Sequence, residues 1–249
     1  MAEIAKSLLF AALLATGPAA LAETVTLTSL EWCPYSCSRE PGQGVSTQIL
    51  REAFKLQGYE LEVRFLPWNR AVYDARNDAG VAGYFPEYQG DVKEFHLSAP
   101  VGYGPLGLVE PVDKPLDWKS LDDLSAVTLG VVSGYLNSPD LDKRIAEGRQ
   151  PVDVSMDDAI SLRKVAAGRI GGAVVDSHVF HYLMAHDAGL QSMKTKLRMN
   201  PRLLDNKSLH VAFADTELGR KMAGIFAEGL KKLDVKTLQA NFMHNSYSE

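Results

Sequence analysis

The sequence predicts an α/β protein of two lobes, a clamp in which each lobe is a mainly parallel sheet flanked by helices and two extended crossovers join the halves. Three observations carry this. Short apolar runs alternate with stretches of helical period. Three aromatic-and-proline clusters, Glu31-Trp32-Cys33-Pro34-Tyr35, Phe65-Leu66-Pro67-Trp68-Asn69-Arg70 and Gly83-Tyr84-Phe85-Pro86, each follow or close such a run, where an open α/β sheet presents its strand ends to a ligand crevice. A second α/β unit then follows a polar, proline-bearing link at residues 112–117.

In chain order, Val25, Leu27 and Ser29 alternate with Thr26, Thr28 and Leu30 as a first strand. Val45, Ile49, Ala53 and Leu56 recur at helical spacing, and Gly58 closes that helix. Leu61, Val63 and Phe65 alternate with charged neighbours as a second strand. Arg70 to Asn77 reads as a helix and Val81 to Phe85 as a third strand. Leu106 to Pro111 reads as an extended crossover. The second unit begins with the strand Val127 to Val132, followed by helices at Ser138–Glu147 and Asp157–Ala167, and then the strand Gly172 to Val175 ending at Asp176. Leu209 to Phe213 reads as the return strand. Leu218, Met222, Ile225, Phe226, Leu230 and Leu233 form a core-facing helical stripe. The expected division is residues 1–22 as a signal, 23–111 as the first part of lobe one, 112–210 as lobe two, and 211–249 as the return crossover with C-terminal helices packing on lobe one.

Composition narrows the partners. The 249 residues are 46% hydrophobic, enough for a real core, and the net charge is −5 without a basic cluster, which argues against nucleic acid or an anionic membrane surface. Lys6, the apolar Leu8–Ala15 stretch, the helix-breaking Thr16-Gly17-Pro18 and the small residues of Ala20-Leu21-Ala22 resemble a secretory signal cut before Glu23. The apolar stretch is shorter than the ~20 residues that span a bilayer, and no later run is long enough, since Arg169 interrupts the best one. The expectation is a monomer that is soluble after signal removal and periplasmic. In such an oxidising compartment Cys33 and Cys37 are read as a small disulfide; free thiols and a metal site are the weaker readings. His178, His181 and His186 could share a helix face, but no pattern of carboxylates or cysteines completes a metal site, and no cofactor is expected.

The chain resembles the extracellular solute-binding proteins of family 3, the polar amino-acid receptors of ABC importers, which share the type II periplasmic-binding fold. The carriers are Glu31-Trp32-x-Pro34-Tyr35, Pro67-Trp68-x-Arg70-Ala71, Leu97-Ser98-Ala99-Pro100, Gly130-Val131-Val132-Ser133-Gly134 and Ala167-Gly168-Arg169 with Asp176 beyond. The resemblance implies a ligand stacked on Tyr35 and held at the strand end around Tyr84 and Phe85. An anionic group would be received by amides at Ser133 and Gly134, beside the candidate contact Tyr135, and an ammonium by Asp176. Trp32, Trp68 and Arg70 join them as candidate ligand contacts. Each has a plainer reading: the aromatic residues as core or rim, and Asp176 and Ser133 as helix caps.

One departure from the family matters. Family members that take α-amino acids carry an arginine soon after the Ser-x-Pro motif, gripping the α-carboxylate in a bidentate fork. Here the stretch is Val101-Gly102-Tyr103-Gly104-Pro105-Leu106-Gly107, and no arginine lies between Arg76 and Arg144. Either Arg70 replaces it or the ligand lacks a carboxylate. The functional expectation is capture of a small polar solute for an ABC permease. The alternatives are a sensor for a membrane partner and a cyclohexadienyl-dehydratase-like enzyme drawing its acid from Glu87, Asp74 or Asp176.

Overall fold

A computed structural model describes residues 23–247, with side chains through residue 244. The segment read as a signal, residues 1–22, lies outside the described residues. Lobe one is built on β1 (Glu23–Ser29), which pairs in parallel with β2 (Tyr59–Phe65) on one side and β3 (Gly83–Tyr88) on the other. The parallel pairs need crossovers, supplied by α1 (Val45–Lys55) and α2 (Trp68–Asn77). A short β4 (Phe95–Leu97) precedes β5 (Gly102–Pro111), which runs out of the lobe.

Lobe two repeats the scheme with β6 (Leu129–Val132) between β7 (Val152–Ser155) and β8 (Gly172–Asp176), again parallel. Its helices are α3 (Pro139–Ala146), α4 (Asp158–Ala166), α5 (Ser177–His186) and the short α6 (Ala188–Gln191). The chain returns along β9 (Leu197–Ala214), antiparallel to β5 and β3, and ends in α7 (Glu217–Leu230) and α8 (Val235–Tyr247). The strand order is β2-β1-β3-β9-β5-β8-β6-β7, with β4 on β9, so one sheet runs through both lobes.

The apolar periods explain most elements. Val45, Ile49, Ala53 and Phe54 bury one face of α1 against α7, where Met222, Phe226 and Leu230 are buried and the Phe54 and Phe226 rings meet at 5.1 Å. A methyl group on Gly229 would strike the backbone carbonyl of Ala53, so glycine permits that close approach. Several elements differ from expectation, three of them for a plain local reason. Helix α2 begins at Trp68 rather than Arg70, because the Pro67 carbonyl already accepts from the Arg70 and Ala71 amides. Strand β9 is 18 residues long where only Leu209–Phe213 was legible, because Arg198, Arg202 and Asp205 mask its period in the span between lobes. Strand β7 escaped notice as a four-residue edge whose Val154 is exposed.

Candidate functional site

Immediately after β1 the chain makes a tight loop that presents Trp32 and Tyr35. The Trp32 amide donates to the Ser36 carbonyl at 2.7 Å, Tyr35 N donates back to Trp32 O at 3.0 Å, and the Ser29 and Ser36 hydroxyls meet at 2.6 Å. A disulfide joins Cys33 to Cys37, with Cα atoms 5.1 Å apart. The two rings stack at 4.8 Å. A bridge closing so few residues constrains little unfolded chain, so reduction is expected to cost about 2 kcal/mol or less. Chemical denaturation with and without reductant measures this; a much larger loss would mean that the whole loop depends on the bond.

Both rings reach across to lobe two. The Trp32 indole N–H donates to Asp158 Oδ2 at 3.1 Å, and the Tyr35 hydroxyl lies 3.2 Å from both carboxyl oxygens of Asp176 and 3.2 Å from the Tyr103 carbonyl. At the start of α2, Trp68 Nε1 donates to the Gly134 carbonyl at 3.0 Å and Asn69 Nδ2 to the Ser133 hydroxyl at 3.1 Å. At the rim the Tyr182 hydroxyl donates to Glu40 Oε1 at 2.7 Å. The lobes are thus in direct contact. Between them remains a cavity of about 20 Å³, walled by Trp32, Trp68, Glu87, Tyr88 and Tyr135 among others.

Three carboxyl groups stand in this cleft. Asp176 caps α5, accepting from the amides of His178 at 2.8 Å and Val179 at 3.2 Å. Asp158 opens α4 beside the cap residue Asp157. Glu87, near the end of β3, accepts from the Tyr84 hydroxyl at 3.0 Å and the Tyr88 amide at 2.7 Å. Burial pushes Glu87 up to about 7 against those bonds and the attraction of Lys207. Burial likewise takes Asp158 up to about 7, with Asp157 adding repulsion. Asp176 also rises to about 7 through burial, opposed by the Val179 and His178 amides and the Tyr35 hydroxyl. His178, facing Tyr35, is held below its ordinary value by burial.

Of the candidate residues, Trp32, Tyr35, Trp68, Ser133, Gly134, Tyr135 and Asp176 meet at the junction of the lobes. Tyr135 is edge-on to Trp32 at 6.3 Å and to Trp68 at 5.7 Å. Arg70 does not join them. Two residues on from Trp68 it has turned to the solvent face of α2, its side chain is 64% exposed, and it pairs with Asp74 at 2.6 Å. Phe85 is fully buried core, and only its carbonyl is used, by Ser29 Oγ at 2.7 Å. Tyr84 stands beside Trp68, ring to ring at 5.3 Å.

Of the anion-receiving amides expected at Ser133 and Gly134, that of Ser133 is otherwise engaged, as is its neighbour at Tyr135. Ser133 N donates to Ser155 O and Tyr135 N to Val132 O, while α3 starts only at Pro139. Toward lobe one the loop turns the Gly134 carbonyl, which accepts from the Trp68 indole. Tyr88, Asp158, Asn69 and Lys207 went unnoticed in the sequence. Tyr88 could have been reached by extending the third aromatic cluster two residues, whereas Asp158 is indistinguishable from an ordinary helix-start aspartate. Among the described residues no group of three or more His, Cys, Asp or Glu could hold a metal ion, and no helix is long and apolar enough to cross a membrane.

No protein-family model and no curated protein matches the chain. Solved structures do. A histidine kinase sensor domain with similarity to periplasmic binding proteins superposes with a TM-score of 0.75 at 17% identity, over 91% of this chain and 96% of that one. An ancestral arginine-binding protein bound to arginine gives 0.71 at 13% identity, over 89% and 98%. The periplasmic VFT2 domain of BvgS from Bordetella pertussis gives 0.70 at 18%, over 89% and 92%. At these identities what is shared is the architecture: two lobes, one sheet and two connecting strands make this chain a type II periplasmic-binding fold.

Proposed function

We propose that the protein is an extracytoplasmic solute-binding clamp that captures a small polar solute between its lobes and presents the closed form to a membrane partner, an ABC permease or a sensor. The observation that carries this reading is the shared cavity: Trp32, Trp68, Glu87 and Tyr88 come from lobe one and Tyr135 from lobe two, so a solute there touches both. A ligand shifts a clamp only by its differential contacts with the open and closed forms, and this arrangement supplies them. The signal-like residues 1–22 support the location, and the likeness to a sensor domain and to a solute-binding protein supports both kinds of partner.

The test is a ligand screen by thermal shift across amino acids, amines, small carboxylates and sugars. A true ligand at about a hundred times its dissociation constant adds roughly 2.7 kcal/mol of stability, and Trp32→Ala is expected to remove the effect. Finding no stabilising solute in any class, with small-angle scattering unchanged by all of them, would overturn the reading. A catalytic second reading draws on Glu87, whose carboxyl, pushed up to about 7, suits a proton donor; recovery of the added compound as product rather than unchanged would favour it.

A further inference from the structure

The cleft's polar surface is one-sided. Among the described residues Glu87 is the one charged residue lining the cavity, and behind the rings of Trp32, Tyr35 and Trp68 stand the carboxyls of Asp158 and Asp176 and the carbonyl of Gly134. The hydrogen-bond partners of the three carboxyls are neutral groups, namely an indole, two tyrosine hydroxyls and backbone amides. The residues themselves are 5%, 5% and 1% exposed; Lys207 attracts Glu87, and a buried carboxylate without a hydrogen-bonded counter-charge is costly.

The walls carry the same sign. Four aromatic side chains, Trp32, Trp68, Tyr88 and Tyr135, surround the cavity with Glu87, and aromatic faces attract cations through their quadrupoles. The chain already uses one of these rings in that way: the Lys207 ammonium lies 5.2 Å from the Tyr88 ring centroid. That lysine is engaged with the Asn137 carbonyl at 2.9 Å and its side chain is 5% exposed, which withdraws it from any ligand carboxylate. Arg70 is outside. One further group points to a ligand. The Tyr88 hydroxyl is buried without a hydrogen-bond partner among the described residues, close enough to Asp176, Asp158 and Glu87 to feel all three charges.

Resting on the clamp reading, we propose that the solute is an organic cation without a carboxylate, its ammonium head seated among Trp32, Trp68, Tyr88 and Tyr135 and balanced by Glu87 and Asp158. The cavity of about 20 Å³ is large enough for little more than a water, so the lobes part to admit the head group and the Trp32–Tyr135 edge contact gives way to it. The Tyr88 hydroxyl becomes a polar contact for the ligand's tail or for a water travelling with it. A zwitterionic amino acid is rejected because its carboxylate would face Glu87, with Asp158 and Asp176 behind the aromatic walls and no guanidinium to receive it.

The experiment is calorimetric and fluorescence titration of the protein at about pH 8, where the cleft carboxyls are ionised. The probes are choline, putrescine, the uncharged choline isostere 3,3-dimethyl-1-butanol, glycine and glutamate. At least one of the two cations is expected to bind saturably, and the neutral isostere and both amino acids at least about tenfold more weakly. Glu87→Gln and Asp158→Asn, which keep side-chain shape, are each expected to weaken cation binding about tenfold without loss of thermal stability. Arg70→Ala is expected to leave binding unchanged. Binding of glutamate or the neutral isostere, with neither cation bound, would overturn the cation proposal and leave the clamp standing. So would undiminished cation binding by Glu87→Gln and Asp158→Asn, or its loss in Arg70→Ala. Failure of every solute class, together with small-angle scattering unchanged by any of them, would take down the clamp itself.

Discussion

Replacing Gly104 with alanine is expected to force the lobes apart. Gly104 lies on β5 where the strand passes under the junction, and a methyl group there would collide with Asp176 Oδ2 and come within 2.8 Å of the Tyr35 hydroxyl. Neither partner has room to yield. Tyr35 is fully buried, and the same carboxyl caps α5 through two amides. The backbone at Gly104 is not left-handed, so alanine is tolerated conformationally and the effect isolates the contact. Overpacking of this kind costs about 1–3 kcal/mol, and losing a hydrogen bond to a charged group about 1.5–3. Together they put about 2.5–6 kcal/mol against the closed form. Small-angle scattering should show a larger radius of gyration for Gly104→Ala. An unchanged radius with unchanged stability would mean that the Tyr35–Asp176 contact does not hold the lobes together.

The second large effect is a loss of stability between about pH 4 and pH 7. Glu87, Asp158 and Asp176 each titrate near 7 in the folded protein and near 4 when unfolded. The folded state therefore keeps these protons after the unfolded state has released them. Stability from the three is fully present below about pH 4, falls as pH rises, and is flat above about pH 7. One group shifted by about three units contributes on the order of 4 kcal/mol at most.

The charges facing this cluster are few. Lys207 attracts Glu87, Asp157 repels Asp158, and Asp158 repels Asp176. Carboxyl groups elsewhere, such as Asp78, Asp187 and Asp215, are held below their ordinary values and lose their contribution only in stronger acid. Their window is separate. Urea midpoints are expected to be lower at about pH 8 than at about pH 5, by a few kcal/mol in free energy. The triple variant Glu87→Gln, Asp158→Asn, Asp176→Asn is expected to level the two. A wild-type midpoint that rises across this range would contradict the burial of these groups as acids. Ionisation also charges the acceptors that a cation needs, so the pH that weakens the bare closed form is the one that favours its ligand.

Much of the fold is written locally. In β1, β2 and α1 the apolar residues recur at the period of the element they form, so each can be read without knowing its neighbours. The aromatic clusters at Trp32–Tyr35 and Trp68 were legible for the same reason: they sit at strand ends or on the first turn of a helix. What escaped depends on distance. Tyr35 and Asp176 are 141 positions apart and meet only because a glycine from a third segment makes room. Arg70 lies two residues from a tryptophan that reaches the cleft, and the rotation of α2 alone sends it to solvent. Polar residues along β9 bond across a span between lobes that no window of sequence displays.

Strand β9 has one more consequence. It is laddered to β3 at one end and to β5 along most of its length, and β5 continues to β8. The two lobes are therefore not separate bodies on a tether but two leaves of a single pleated sheet. Parting them means flexing a two-stranded ribbon. Its ladder is already interrupted between Leu106 and Val109, where the register with β9 shifts twice. That stretch of β5 is also paired with β8, so the crease falls just ahead of it, at Gly104–Pro105, where β5 pairs with β9 alone. Opening at that crease is a fold along one line, and it leaves the pairing of each lobe's own strands intact.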